Sequence, residues 1–499
     1  MKSVLNLLIL VIILSSCSTI PVGFREIDKD DLSNKIETIF EDTLFSHAHW
    51  GVLIKSLSTG QTIYEKNADR MFMPASNEKI PTTATALTKL GPKFKFETLL
   101  AHSGDITDST LNGNLIIIGN GDPTLSDRIY EKPTTVFESW ADSLISMGIK
   151  RITGNVIGDD NKFDDIHIGY GWPHRGLDYW YSAEIGALQL NENYIDLQFI
   201  PPSEENDSLK ILPDVESNYY NLIEEIEIVD TGKTTLNISS EFGENDILIK
   251  GKILKGSKPF ERSPTITNPT KFYVTVLKEV FEDKGITISG QPIDCDEIEN
   301  YSDSIRIEDT LIVHQSFPLN KILKVLMKKS QNLYAETMVR VLGLNESDIG
   351  SFEEGKKVVE DVLLNFGIKP GTYAYMDGSG LSRYNFISPR QLVKILEGMR
   401  ESENWDVWHD IQPIAGVDGT LKRRMKGTKA EANVRAKTGT ISNVRGLSGY
   451  VKTSANEEIV FSFLVNGHLR TSRDTEIITD KVLEIIAQYP IVSNRYFIE

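Results

Sequence analysis

The sequence predicts an α+β fold interrupted by a mostly β insertion. Three observations carry this reading. At 499 residues the chain exceeds what one hydrophobic core comfortably serves, so two or more domains are expected. Toward both ends, stretches of helical apolar periodicity alternate with stretches of strand periodicity. Between about residues 98 and 262 the texture changes to short apolar runs broken by Gly, Asp, Asn and Pro.

The first element is an address. Met1-Lys2 is a short basic start, Val4 to Leu14 is almost unbroken apolar sequence, and Leu14-Ser15-Ser16-Cys17 closes it. The apolar run is too short to span a bilayer and has the shape of a secretory signal. The cysteine at its end resembles the lipobox of bacterial lipoproteins, in which the thiol carries lipid and the signal is cut just before it. The expectation is a signal peptide over 1–16 and a lipidated tether over 17–28, holding the protein outside the cytoplasm on a bacterial membrane, facing the periplasm. Several acyl chains on Cys17 would anchor it stably, where one would bind only marginally. An ordinary signal with an incidental cysteine is the plainer alternative. Cys295 then stands alone, and no disulfide framework can form.

The domain proper follows. An amphipathic helix is expected from about Asp31 to Phe45, then a hairpin of Trp50–Leu57 and Gln61–Tyr64 around Ser58-Thr59-Gly60. Pro74-Ala75-Ser76 leads into a helix reaching Leu90 and closed by Gly91 and Pro92. Pro81 removes a donor inside that helix and predicts a kink. Strands at Leu115–Ile118, Ile195–Phe199, Leu236–Ser239 and Ile247–Ile253 belong to the insertion. Helical periodicity returns at Lys271–Lys284, Leu319–Leu342 and Gly355–Phe366. Strands at Val434–Thr440, Gly446–Thr453 and Ile459–Asn466 precede a last helix at Thr475–Gln488. Segments 29–97 and 263–499 are thus read as one domain split by the insertion at 98–262.

Composition narrows the function classes. Hydrophobic content of 40% and charged content of 25% are those of a globular protein, and a net charge of -18 argues against nucleic-acid binding. The eight histidines form no convincing ligand set; His47 and His49 alternate as on a strand, and a lone His-x-His is usually structural. Asp159-Asp160 and Asp164-Asp165 read as solvated loop residues. No metal and no cofactor are expected.

Chemistry enters with three short motifs. Ser76 and Lys79 are three residues apart at a helix start, so their side chains share a face. A serine hydroxyl is a weak nucleophile until a base takes its proton, and lysine is a base only when burial or nearby positive charge lowers its pKa. Ser330-Gln331-Asn332 offers a second hydroxyl, for proton transfer to a leaving amine, and an amide to hold Lys79 or substrate. Ser402-Glu403-Asn404 also fits Ser-x-Asn, but it sits beside Glu401 and Asp406 in what reads as a solvated turn. Lys437-Thr438-Gly439-Thr440 on a strand would present a cation and hydroxyls to a substrate carboxylate, and Gly439 permits close approach. The backbone N–H groups of Ser76 and Thr440 would form an oxyanion hole.

Ser-x-x-Lys, Ser-x-Asn and Lys-Thr-Gly in this order resemble the signature of serine β-lactamases and penicillin-binding proteins. The long span from Ser76 to Ser330 points to one branch of that group. So do Gly113-Asn114-Leu115 with Gly121-Asp122-Pro123, Tyr181-Ser182-Ala183, Ser330 to Glu336, Asp377-Gly378-Ser379-Gly380-Leu381-Ser382-Arg383, and Ala415 to Leu421. The chain resembles the D-alanyl-D-alanine carboxypeptidase/endopeptidase branch of the low-molecular-mass penicillin-binding proteins, the DacB-like serine peptidases. The resemblance implies a serine β-lactamase/transpeptidase-like domain, metal-free cleavage of peptidoglycan stem peptides or cross-links, and acylation by penicillin and other β-lactam antibiotics. It places Arg383 on the rim of the cleft. In relatives an insertion-domain Asp, about five residues before the Tyr181 position, contacts the free end of the diamino acid. Here that position is Gly176, with Asp178 nearby. A β-lactamase or esterase on the same scaffold, and a non-catalytic peptidoglycan-binding lipoprotein, are the competing readings.

Overall fold

The computed structural model describes residues 29–204, 207–241 and 243–490; the signal, the tether and Cys17 lie outside the described residues. A five-stranded antiparallel sheet organises the two ends of the chain. Its order is Arg435–Ile441, Val444–Lys452, Glu458–Asn466, His49–Ser56, Thr62–Lys66. Alternation along the buried strands feeds two cores, because successive side chains point to opposite faces. Val52 and Ile54 pack beneath the helices Lys29–Phe40 and Ser472–Gln488, through Leu32, Ile36, Val482 and Ile486. Leu53, Val460 and Leu464 face the other way, against Lys79–Leu90, Asn332–Leu344 and Pro389–Glu401. One sheet therefore joins residues 49–66 to residues 435–466. The first helix stops at Phe40, short of the expected Phe45, and a separate 3₁₀ turn covers Thr43–Phe45.

The insertion is larger and more helical than its texture suggests. A five-stranded mixed sheet runs in the order Pro292–Asp294, Val156–Asp159, Leu115–Ile118, Glu97–His102, Asp309–Gln315. Two of these strands come after residue 262, so a boundary there cuts through a sheet. The helices Thr135–Ser146 and Pro269–Asp283 bury Phe137, Trp140, Phe272 and Leu277 in the core of this same unit. The helix placed in the second catalytic segment thus belongs to the insertion, which continues to Gln315. Its N-terminus is set by Asn268-Pro269: Asn268 adopts a left-handed conformation, its side chain caps Lys271 N, and Pro269 occupies the first turn. A smaller lobe of two three-stranded sheets, including Leu197–Ile200, Thr235–Ser239 and Asp246–Leu254, completes it.

Two local differences bear on the site. Pro81 lies in the first turn of Lys79–Leu90, where a missing N–H forfeits no intrahelical bond, so the expected kink has no cause. The expected single helix Leu319–Leu342 is instead broken in the middle. Leu319–Val325 passes into a π turn over Leu326–Ser330, Ser330 takes φ +63°, and Gln331 caps a new helix, Asn332–Leu344.

Candidate active site

Ser76 sits in a short 3₁₀ turn, Ala75–Glu78, directly ahead of the helix that Lys79 begins. Around it Asn77, Glu78 and Lys79 are buried, and Ser76 alone of the four keeps partial exposure. Gly380 and Gly439 make this close assembly possible. A Cβ at Gly380 would lie 1.9 Å from the Ala75 carbonyl oxygen, and one at Gly439 would lie 2.6 Å from that of Pro74.

The Lys79 amine is fully buried and has three neighbours: Ser76 Oγ at 3.1 Å, Asn332 Oδ1 at 2.6 Å and the Ser379 carbonyl oxygen at 2.8 Å. Asn332 Nδ2 donates to the Tyr181 carbonyl at 2.6 Å, which fixes the amide so that its oxygen faces Lys79. Two of the three neighbours can only accept. A neutral amine would donate to those two and keep its lone pair for the hydroxyl of Ser76. Burial pushes the Lys79 pKa down to about 7, opposed by the carboxylates of Asp377, Glu336 and Glu78. An amine held in this way can gain or lose a proton near neutral pH, as general-base chemistry requires.

Those carboxylates build the floor. Asp377 gathers the loop from Gly378 to Asn385: it accepts from Gly380 N at 2.7 Å, Ser382 N at 2.6 Å and Asn385 Nδ2 at 2.7 Å. Trp172, from the insertion, donates its indole N–H to Asp377 at 2.9 Å, so the insertion is bonded to the catalytic floor. Glu336 accepts from the N–H groups of Gly378 and Ser379 at 3.1 and 2.9 Å. It therefore fixes the carbonyl that Lys79 uses. Burial and the neighbouring Asp377 raise its pKa to about 7, while Arg340 opposes.

The second motif reaches the same place through the broken helix. Lys437 Nζ donates to Ser330 Oγ at 2.8 Å and to the Thr438 carbonyl at 2.9 Å. Gln331 turns away and donates to the buried Glu192, which secures the break. Lys437 is fully buried, and burial first, then Lys79, depress its pKa well below the usual lysine value. The cation expected to face a substrate carboxylate therefore lies behind Ser330, because the strand points its side chain into the protein. Ser76, Ser330, Asn332, Thr438, Thr440 and Arg383 all line one cavity of about 770 Å³. Gly439 does not line it; its contacts are with Pro74 and Asn77, in the turn that holds Ser76. Arg383 stands at the rim and reaches the Ser442 carbonyl at 3.3 Å.

Sequence reasoning missed the Ser379 carbonyl, which no side-chain motif can announce, and Trp172, which belongs to none of the motifs. Nor are the acidic pairs simply solvated: Thr270 donates to Asp160, Tyr301 donates to Asp159 at 3.0 Å, and Asp164 faces the buried Arg340 at 3.6 Å. Near Gly176, Asp178 is turned to the insertion, accepting from Ser240 N at 3.3 Å and Ser240 Oγ at 3.1 Å.

The chain is similar to known proteins over most of its length. The D-alanyl-D-alanine carboxypeptidase of Actinomadura sp. (strain R39) is 30% identical over 462 residues, covering 88% of this chain and 81% of that one. The D-alanyl-D-alanine carboxypeptidase DacB of Haemophilus influenzae is 27% identical over 453 residues, with 89% of each chain covered. The crystal structure of penicillin binding protein 4 from H. influenzae matches with a TM-score of 0.77 at 26% identity, covering 93% of this chain and 100% of that one. Its complex with a β-lactam matches at 0.71 and 25% identity, covering 92% and 98%. The expected transpeptidase-like fold is therefore the fold observed. The family model of D-Ala-D-Ala carboxypeptidase 3 (S13) matches residues 32–489. The chain belongs to this family of serine peptidases.

Proposed function

We propose that this serine D-Ala-D-Ala peptidase trims and opens peptidoglycan through an acyl-enzyme on Ser76, acting on stem peptides as a carboxypeptidase and on cross-links as an endopeptidase. The observation that carries the mechanism is the Lys79 amine, held by two acceptors and one hydroxyl. Lys79 takes the Ser76 proton as Oγ attacks the carbonyl carbon of the scissile bond. The tetrahedral oxyanion forms against the N–H groups of Ser76 and Thr440. Ser330, backed by Lys437, passes its proton to the departing amine and takes up the one Lys79 holds, so the peptide bond breaks and Lys79 is neutral again. Lys79 then takes a proton from the water that attacks the ester and returns it to Ser76 Oγ as the acyl peptide leaves. Thr438 and Thr440 are the hydroxyls that meet the substrate's terminal carboxylate, with Lys437 behind them.

A β-lactamase would need a base to activate water against a penicilloyl ester. Among the described residues no carboxylate lines the cavity; Glu78, Glu336 and Asp377 are buried beneath it. A lasting penicilloyl adduct on Ser76 is therefore expected, as mass spectrometry and peptide mapping would read it. A fleeting adduct would favour the β-lactamase reading, and no adduct would favour a pure binding protein. Digestion of defined muropeptides would give the balance of the two peptidase activities. The address is proposed from the sequence alone: lipid on Cys17, and a site outside the cytoplasm at a bacterial membrane, facing the periplasm. Cys17→Ala should free the protein from membranes; if it still pellets and the native chain takes up no labelled palmitate, that reading fails.

A further inference from the structure

Ser330 is held in a backbone conformation that its residue type disfavours. Its φ of +63° lies in the left-handed region, and it closes the π turn Leu326–Ser330. A residue with a Cβ stays there only where its surroundings compel it. After Ser330 the chain is fixed by Gln331 and Asn332, through Glu192, Tyr181 and Lys79. Before it stands Lys328, buried, with its ammonium on the carboxylate of Asp418. The next residue, Lys329, is exposed and faces the cleft instead.

The two sides of this ion pair are not equally firm. Asp418 belongs to a turn that bonds to itself. The Ile414 carbonyl accepts from the N–H groups of Val417 and Asp418 at 3.1 and 3.2 Å, and Gly416 N donates to the Leu421 carbonyl at 3.0 Å. Asp418 Oδ1 accepts from Ile414 N at 2.9 Å, which leaves Oδ2 for Lys328. Gly419 of the same turn packs on the backbone of the π turn; a Cβ there would lie 2.8 Å from the Lys328 carbonyl oxygen. The self-bonded turn is thus the anchor, and the π turn is what it anchors.

The geometry points to the Lys328–Asp418 pair as the device that positions Ser330 to give its proton to the leaving amine. Neither residue lines the cleft, so both act through Ser330, as positioning residues. The inference rests on the peptidase reading, and it concerns one bond. When the amide breaks, the C–N electron pair goes to nitrogen, which takes the Ser330 proton. When a thioester of the same acyl group breaks, the pair goes to sulfur. A thiolate, whose conjugate acid has a pKa of about 8.5 in cysteine, departs without a proton. Loss of the ion pair should therefore slow amide cleavage and spare thioester cleavage.

The test compares a stem-peptide analogue ending in D-Ala-D-Ala with its thioester twin ending in D-Ala-D-thiolactate. Both give the same acyl-enzyme, so kcat/KM reports acylation in each. Lys328→Met removes the charge but keeps the stem; Asp418→Asn keeps the acceptor for Ile414 N. Each should lower the amide-to-thioester ratio about tenfold, a part of the roughly 10²–10⁴-fold that a positioned proton donor supplies. The double variant should be no worse than either single one, because both break the same contact. In a Ser330→Ala background, Lys328→Met should leave the ratio where Ser330→Ala alone puts it. Thioester cleavage slowed as much as amide cleavage, an unchanged ratio in either single variant, or a further fall in the Ser330→Ala background would overturn the inference. Should Lys328→Met unfold, Asp418→Asn decides alone; if neither folds, the pair serves stability and the inference is overturned. If the native protein hydrolyses no peptide, acylation of Ser76 by penicillin, itself an amide, replaces the peptide in the ratio. If penicillin acylates nothing, the peptidase reading has failed and the inference falls with it.

Discussion

Raising or lowering pH around neutrality should switch the nucleophile on and off through Lys79. With a pKa of about 7, about half of the Lys79 side chains are neutral at pH 7; at the ordinary lysine value the fraction would be roughly one in three thousand. Burial of the amine thus makes the base about a thousandfold more available. Protonation removes the lone pair that faces Ser76, so the rate should fall as pH falls. The assay is the second-order rate of acylation by a fluorescent penicillin from about pH 5 to 9. It should climb about tenfold per pH unit below 7 and level off above about 8. Lys79→Ala should lose about 10²–10⁴-fold together with this limb. Lys79→Arg is the sharper probe: it keeps a charge but cannot give up its proton, so it should be as inactive as Lys79→Ala. A flat profile in the intact protein, or substantial activity in Lys79→Arg, would refute the assignment of Lys79 as base.

Three further outcomes are expected. Lys437→Ala should slow both acylation and peptide cleavage by about ten- to a hundredfold, the scale of one charge-assisted hydrogen bond, and less than Lys79→Ala; kinetics that reverse this order would mean the two lysines have exchanged jobs. Glu336→Gln removes a negative charge that holds the Lys79 pKa up, so the acylation limb should move to lower pH; a move to higher pH would contradict the electrostatics of the floor. Trp172→Phe deletes the buried N–H to Asp377 and should cost about 1–3 kcal/mol, seen as a lower melting temperature with slower acylation; an unchanged Tm would show that the insertion does not brace the catalytic floor through this bond.

Much of the catalytic domain is legible in the sequence because its elements are local. The strands His49–Ser56 and Glu458–Asn466 announce themselves by β-branched and aromatic residues, and Ser472–Gln488 by its apolar stripe. The break at Ser330 is hidden for a physical reason. Ile322, Leu323 and Leu326 before it and Tyr334 and Met338 after it enter the same core, so the apolar residues recur as one helix would place them. What interrupts the helix is long-range: Asn332 bonds Lys79 and Tyr181, and Gln331 bonds Glu192. The insertion boundary is hidden likewise. Strands Pro292–Asp294 and Asp309–Gln315 join a sheet begun nearly two hundred residues earlier, at Glu97–His102, and pairing over that span leaves no local mark.

The motifs show which residues meet, but only the surroundings divide the labour between the two lysines. Both are fully buried, and burial lowers the pKa of each. Lys79 has three carboxylates beneath it, which draw its pKa back up to about 7, whereas Lys437 has Lys79 as its charged neighbour and is driven further down. Lys79 can therefore exchange a proton at working pH with little cost in either direction, which is what a base must do in acylation and reverse when the leaving group departs. Lys437 therefore holds its proton less readily than an ordinary lysine, and an anion entering the cleft would oppose that loss. A substrate carboxylate held by Thr438 and Thr440 would be such an anion, and its charge would favour the ammonium form of Lys437. The proton delivered to the leaving amine would then be most available when substrate is in place, which makes binding and protonation of the leaving group parts of the same event.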